Sequence, residues 1–395
     1  MENTFERKLD LKLILSVIAA GLMSFTGVVV ATAMNVTFPT LMKQFQIDIA
    51  TVQWITTGYL LMLSIIIPLS SFLKKRFRMK QLFLFANIVF IIATVMCMVS
   101  PNFMVLLLGR LLQGIGAGIA LPLMFNIVLE QAPFEKMGFM MGIASLIAAI
   151  APAVGPSFGG LVVNTLGWRM IFAFLLPLLL VSTVLGIYAI RQSSATETVS
   201  FDVSGYLMLI ISFICFIFAI NSASSEGWLS TRVILLFLVC LAALFFFAQH
   251  TGKTAKPLIN LCIFQKNTFT FSVLYLILLQ FICLGIGFLL PNYSQLVMNE
   301  NALTAGRLHS FAWLYYRRCA ESFYRKIVRS LRSRSTDFNW LCFCSGCFIY
   351  VCYVYRSCFH CRLDRNLHLL CNCAGIHRRK YHDKRAAQPA KSAEC

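Results

Sequence analysis

The sequence predicts an all-α, polytopic membrane protein, and three observations carry that prediction. Of 395 residues, 59% are hydrophobic and 12% charged, with a mean hydropathy of +0.78, which leaves too little polar surface to cover a water-soluble globule. Charge-sparse runs recur at the length needed to cross the hydrocarbon core, about 20 apolar residues per helix. Basic residues alternate in density between those runs, as cytoplasmic and external loops do. The same composition excludes a soluble enzyme and a disordered chain, and the 22 glycines show no collagen-like period.

Nine such runs cover about residues 12–32, 51–73, 81–100, 103–126, 138–163, 169–190, 204–221, 231–249 and 269–291. The first follows Arg7, Lys8 and Lys12 as a signal peptide would. It is too long for one, however, and passes through Asn35 to Pro39 without a small-residue cleavage site, so it reads as a retained span. With the N-terminus inside, thirteen basic residues fall in inner loops, among them the Lys74 to Lys80 cluster. Only Lys43, Arg169 and Arg232 fall outside, and Arg110 lies within a span. That asymmetry predicts a cytoplasmic N-terminus.

Within the spans, Gly114 and Gly118 in the fourth run, and Gly155 and Gly159 in the fifth, have the four-residue spacing that lets helices approach closely in lipid. Ordinary packing and a functional contact both fit that pattern. Pro152 and Pro156 remove two backbone donors from the fifth run and predict a bend. Arg110 is the one basic residue inside a span. An intramembrane ionisable group is a functional candidate by default, the alternative being an arginine that snorkels to the interface.

These residues resemble the major facilitator superfamily, and within it the fourteen-span drug:proton antiporters of the EmrB/QacA type. The resemblance rests on Arg110, Gln113, Gly114 and Gly118 in the fourth run and on Ala151 to Gly160 in the fifth, with Pro152, Gly155, Pro156, Gly159 and Gly160 at the motif positions. Asn35-Val36 with Pro39 ending the first span, Gln53-Trp54 with Tyr59 in the second, and Trp168-Arg169 with Phe172 and Pro177 in the sixth extend it in the same order. Two positions depart from the pattern. Val29-Val30-Ala31 stands where many relatives have an aspartate, and the loop Ser71 to Arg78 keeps its basic character without the usual aspartate and glycines. None of the ten carboxylates before residue 307 lies in the middle of a run. Glu130 and Asp202 come closest and read as solvated helix-end charges, with proton coupling as the alternative.

The resemblance implies a major facilitator fold, with residues 1–191 as an N-terminal six-helix half, 192–249 as an inserted helix pair, and 250–306 as the start of a C-terminal half. It implies export of lipophilic or cationic drugs in exchange for protons by alternating access, in a bacterial cytoplasmic membrane. Arg110, Gln113 and Asn35 would belong to the transport or proton pathway, and Trp54, Tyr59 and Phe125 to an adaptable substrate pocket, although such side chains commonly face lipid or other helices. The glycine and proline motifs would serve helix packing. No enzymatic activity, catalytic residue, cofactor or metal is expected, and the lack of a phosphate-cradling glycine loop argues against ATP-driven export. The lipid bilayer, drugs and protons are the expected partners, and nucleic acid is not one. Transport of another small molecule and a non-transporting membrane fragment remain the alternatives.

After Gly306 the composition changes. Residues 1–306 hold 17 basic and 10 acidic residues, a net +7, whereas 307–395 hold 17 and 5, a net +12, together with ten of the 15 cysteines and five of the six histidines. Apolar codons carry U in the middle, and a one-base shift turns them into codons for Phe, Leu, Ser, Tyr, Cys and Trp. The tail therefore reads as out-of-frame, with transport impaired by loss of the C-terminal half. A Cys/His metal module is the rival reading, but only Cys344 with Cys347 and Cys358 with Cys361 have the C-x-x-C spacing.

Overall fold

The computed structural model describes residues 10–192, 201–254, 259, 261–265 and 267–306. The chain divides into two compact units, Met1–Arg317 and Arg318–Cys395, and all described residues belong to the first. The expectation of an aberrant tail over 307–395 falls outside the described residues.

Among the described residues the regular structure is entirely helical: α1 (Leu11–Phe45), α2 (Ile49–Arg76), α3 (Met79–Met98), α4 (Phe103–Gln131), α5 (Met137–Thr165), α6 (Arg169–Ala189), α7 (Val203–Glu226), α8 (Thr231–Lys253) and α9 (Asn267–Leu296). The first eight are long and apolar enough to cross a membrane, and α9 is helical throughout the ninth expected run. This is a multi-pass membrane architecture, the form in which every backbone polar group finds a partner within its own segment.

Helix starts follow local chemistry. Asp48 accepts from the Thr51 N–H at 3.1 Å to begin α2, and Asn102 accepts from the Val105 N–H at 3.0 Å to begin α4. Lys74, Lys75 and Arg76 occupy the last turn of α2, where cations offset the exposed carbonyls. Several helices outrun the apolar runs that announce them, because polar end residues continue the backbone ladder into the interface. The first corrects an expectation: α1 does not end at Pro39 but continues to Phe45. A proline costs one intrahelical bond, and neighbouring helices can hold the helix through it. Here Gln295 of α9 donates through Nε2 to the Val36 carbonyl at 2.9 Å, just before the ring. α5 likewise remains one helix through Pro152 and Pro156.

α1 is the central helix, packed against α4, α5, α6 and α9, while α4 lies between α2 and α3. Small residues set these contacts. A Cβ at Gly159 would stand 2.9 Å from Cα, Cβ and O of Ala33, and one at Gly155 would meet Thr32, so this face of α5 lies directly on α1. Gly160 and Gly306 make the same approach between α5 and the short helical turn over 302–306, through Ala302 and Pro156. α7 pairs with α8 and touches the rest through α2. Phe72 packs on Phe201 at 4.6 Å, Trp54 on Phe218 at 5.1 Å, and the Tyr206 hydroxyl donates to the Ile65 carbonyl at 3.2 Å.

Gly159→Val should therefore force α1 and α5 apart, with a loss of about 1–3 kcal/mol in thermal unfolding of the detergent-solubilised protein. Gly138→Ala, where a Cβ meets nothing within 4 Å, should leave the transition unchanged. The hydroxyl and backbone N–H of Thr51 hold the Asp48 carboxyl below the usual carboxylate range. Its contribution to stability is full above the ordinary carboxylate value and is lost as pH falls through the depressed folded value. Asp48→Asn should remove that acid-side dependence, as measured by melting temperature against pH.

Candidate functional site

Arg110 lies about two turns into α4 and is fully buried. Its snorkelling alternative is not realised, because the guanidinium is enclosed by three helices. Nε donates to the Ile55 carbonyl of α2 at 3.3 Å, and Nη1 donates to Gln113 Oε1 at 2.8 Å. Gln113 Nε2 in turn donates to Thr94 Oγ1 of α3 at 2.9 Å, and Thr94 donates to the Phe90 carbonyl at 2.7 Å. The Tyr59 ring covers the guanidinium at 4.4 Å, a cation–π contact strengthened by exclusion of water. The Tyr59 hydroxyl donates to the Gly27 carbonyl of α1 at 3.1 Å, so the network reaches α1 as well.

The backbone accommodates this through glycine on two faces of α4. Cβ atoms at Gly114 and Gly118 would strike Met62 and Ile66 of α2, at 2.7 and 2.8 Å. At Gly109 and Gly116 they would strike Cys97 and the Ala86 carbonyl of α3, at 2.5 and 2.7 Å. Close approach on both sides brings a carbonyl from one neighbour and a hydroxyl from the other within reach of one arginine and its glutamine. No carboxylate pairs with Arg110 among the described residues, and Nη2 is buried without a hydrogen-bond partner. The buried cation is thus held by dipoles and a ring, with one nitrogen left unmatched.

The other expected site residues are distributed rather than gathered. Asn35 is nearly buried and accepts from the Thr56 hydroxyl at 3.1 Å, across the α1–α2 contact. Tyr59 belongs to the Arg110 cluster. Trp54 packs on α7, and Phe125 is half-buried against the core of α1, α3 and α4. A cleft of about 390 Å³ opens beside Pro39, Lys43, Asn164, Gln295 and Glu300, and none of the three expected pocket residues lines it. Pro152, Gly155, Pro156, Gly159 and Gly160 carry the α5 contacts described above. No group of three or more His, Cys, Asp or Glu side chains is placed to hold a metal ion among the described residues.

Two carboxylates differ from the expectation of solvated helix-end charges. Glu130 pairs with Lys74, which also donates to Asn126 Oδ1 at 3.2 Å, tying the ends of α2 and α4. Asp202 is 7% exposed and pairs with His250 at 2.7 Å. Each is paired because antiparallel or neighbouring helices end at the same level and bring opposite charges together, a proximity that residue spacing along the chain does not encode. Thr94 is a site residue that the sequence signals only weakly, as a hydroxyl in the third run, which also holds Asn87 and Ser100.

Gln113→Leu would leave the Arg110 Nη1 and Thr94 without their shared partner. Interhelical hydrogen bonds in membranes are worth about 1–2 kcal/mol at most, so a destabilisation of that size is expected in thermal unfolding, with Thr94→Val losing less.

Comparison with known proteins accords with this geometry. The family model described as Major Facilitator Superfamily matches residues 15–354, running past Gly306, where the sequence reading ended the resemblance. The lincomycin resistance protein LmrB of Bacillus subtilis is 36% identical over 297 residues, covering 75% of this chain and 62% of that protein. The multidrug export protein EmrB of Escherichia coli is 28% identical, over 75% of this chain and 58% of its own length. The chain spans between 55 and 65% of the length of the first three curated relatives it matches. Among solved structures, a peptide transporter POT in complex with sulfate shares the fold at a TM-score of 0.57 and 12% identity, covering 81% of this chain and 70% of that one. An all-helical bundle organised around a glycine-flanked arginine in α4, matched by the family model over most of its length, makes this chain a member of the major facilitator superfamily.

Proposed function

We propose that the chain serves multidrug efflux by proton antiport with alternating access, its N-terminus in the cytoplasm of a bacterial cell. The observation that carries the reading is the Arg110 cluster: a fully buried guanidinium with one unpartnered nitrogen, held at the junction of α2, α3 and α4. Resistance and export proteins among its relatives, LmrB and EmrB, support lipophilic or cationic drugs as the substrate class.

In this reading Arg110, with Gln113 and Asn35, lies on the pathway by which protonation of a partner group is sensed. The buried cation favours an ionised neighbour and so biases where a proton resides. α1 to α6 act as the N-terminal half, α7 and α8 as the inserted pair, and α9 as the opening helix of the C-terminal half. The Pro152 to Gly160 face of α5 supports the contact with the segment over 302–306, as Gly160 against Ala302 and Ser157 donating to the Gly306 carbonyl at 3.4 Å suggest. Aromatic side chains such as Trp54 and Phe125 would contact substrate during the cycle. Alternating access needs two bundles closing on one site in turn. The changed composition after residue 306 therefore makes us propose that transport is impaired relative to LmrB. A transporter of another small molecule shares every feature of the Arg110 cluster and differs only in the pocket.

The test loads cells with a fluorescent lipophilic cation and follows its loss. Expected are extrusion slower than that produced by LmrB, its collapse on addition of a protonophore, and its reduction to background in Arg110→Ala. Equal dye retention in cells with the chain, with Arg110→Ala and with no protein would overturn the transport reading in favour of a non-transporting membrane protein. Extrusion that survives the protonophore would remove the proton coupling alone.

A further inference from the structure

A second buried charge lies away from the Arg110 cluster, where α7 begins and α8 ends. Asp202 caps α7, its Oδ1 accepting from the Gly205 N–H at 2.9 Å and lying 2.7 Å from His250 Nε2 of α8. Its side chain is 7% exposed, that of His250 33%. Oδ2 is buried without a partner, and the Thr251 hydroxyl is likewise unsatisfied. Gly205 leaves the space the carboxylate occupies, since a Cβ there would stand 2.5 Å from Oδ2.

The hydrogen-bond directions identify the tautomer. Thr254 Oγ1 donates its single hydrogen to the His250 carbonyl at 2.8 Å, so towards His250 Nε2, at 3.3 Å, it can only accept. The carboxylate on the other side also accepts. Nε2 therefore carries a hydrogen, and Nδ1 is the nitrogen left to gain or lose one. We propose that His250 Nδ1 is a proton-binding site, and that its occupancy sets how firmly Asp202 ties the start of α7 to the end of α8. With the proton on, an imidazolium faces a buried carboxylate. With it off, the same geometry survives as a weaker hydrogen bond from a neutral imidazole, and the carboxylate loses its compensating charge.

Among the described residues, the surroundings leave this pair as the exchanging unit. On α7 the nearest titratable side chain in sequence, Tyr206, is engaged with the Ile65 carbonyl. On α8 Lys253 is exposed. α2 ends in Lys74, which is committed to Glu130, and in Lys75 and Arg76, which are exposed. The short helical segment Leu261–Gln265 brings no acid, imidazole or amine. α2 carries the contacts from α7 to the rest of the bundle and also supplies the Ile55 carbonyl to Arg110. A change in grip between α7 and α8 thus reaches the helix that holds the buried arginine. The proposal is independent of the export reading, because its readouts require no transport.

The test uses the full 395-residue chain in detergent micelles with ring-labelled histidine, the His250 signals being those lost in His250→Gln. Expected is that Nδ1 alone gains a hydrogen as the pH is lowered, while Nε2 keeps its own throughout. The Tyr206 amide, bonded to the Asp202 carbonyl at 3.1 Å in the first turn of α7, should exchange about tenfold faster at pH 8.5 than at pH 5.5 after correction for intrinsic rates. Asp202→Asn should abolish that difference. Should Asp202→Asn fail to fold, His250→Gln, which retains an N–H donor but cannot change charge, should show no pH dependence. A proton on Nδ1 alone in the neutral form, no change at Nδ1 between pH 8.5 and pH 5.5, or equal pH dependence in the variants would overturn the proposal.

Discussion

The bundle depends on satisfying one guanidinium where water is excluded. An arginine at this depth is costly unless its donors are met, and at Arg110 Nε meets a carbonyl of α2 and Nη1 an amide of α4 itself beneath the ring of Tyr59, while Nη2 is left without a partner. Those partners arrive only if α2 and α3 approach α4 closely. Glycines on opposite faces of α4 permit it, Gly114 and Gly118 towards α2 and Gly109 and Gly116 towards α3. The polar network and the small-residue contacts are therefore one requirement seen twice: the charge needs short interhelical distances, and the glycines supply them.

α1 transmits that arrangement to the other side of the bundle. Its Gly27 carbonyl accepts from Tyr59, its Ala19 carbonyl accepts from Ser182 of α6 at 2.8 Å, and its Val36 carbonyl accepts from Gln295 of α9. Side chains from α2, α6 and α9 thus bond to a helix whose own backbone is already paired along its length. Such second bonds carbonyls can accept and N–H groups cannot. Where α5 meets α1 the contact is steric, through Gly155 and Gly159, so this interface is set by shape while those with α2, α6 and α9 carry hydrogen bonds as well.

The number and approximate place of the helices were readable because apolar length and helix period are local properties. Arg110 stood out for a similarly local reason, as a charge in a run that otherwise has none. What filled the space around it was not readable. Tyr59 was assigned to a substrate pocket, yet it lies over the guanidinium, because its position on α2 faces α4 and that facing depends on how two helices pack. Pro39 was taken as a helix end, since sequence shows the missing donor but not the neighbours that hold the helix through it. Glu130 and Asp202 looked solvated for want of any sign that Lys74 and His250 lie opposite.

By itself, then, the chain's chemistry determined an all-α membrane protein, the helices that cross it, the glycine faces and the single buried cation. Each follows from residue type and spacing along one segment, which hydrophobic burial and backbone hydrogen bonding translate directly into structure. Only the packed structure decided which carbonyl, hydroxyl and ring answer Arg110, and that Asp202 and His250 face each other between two helices. Those are matters of a few ångströms between segments distant in sequence, fixed by the combined fit of several helices and by no segment alone.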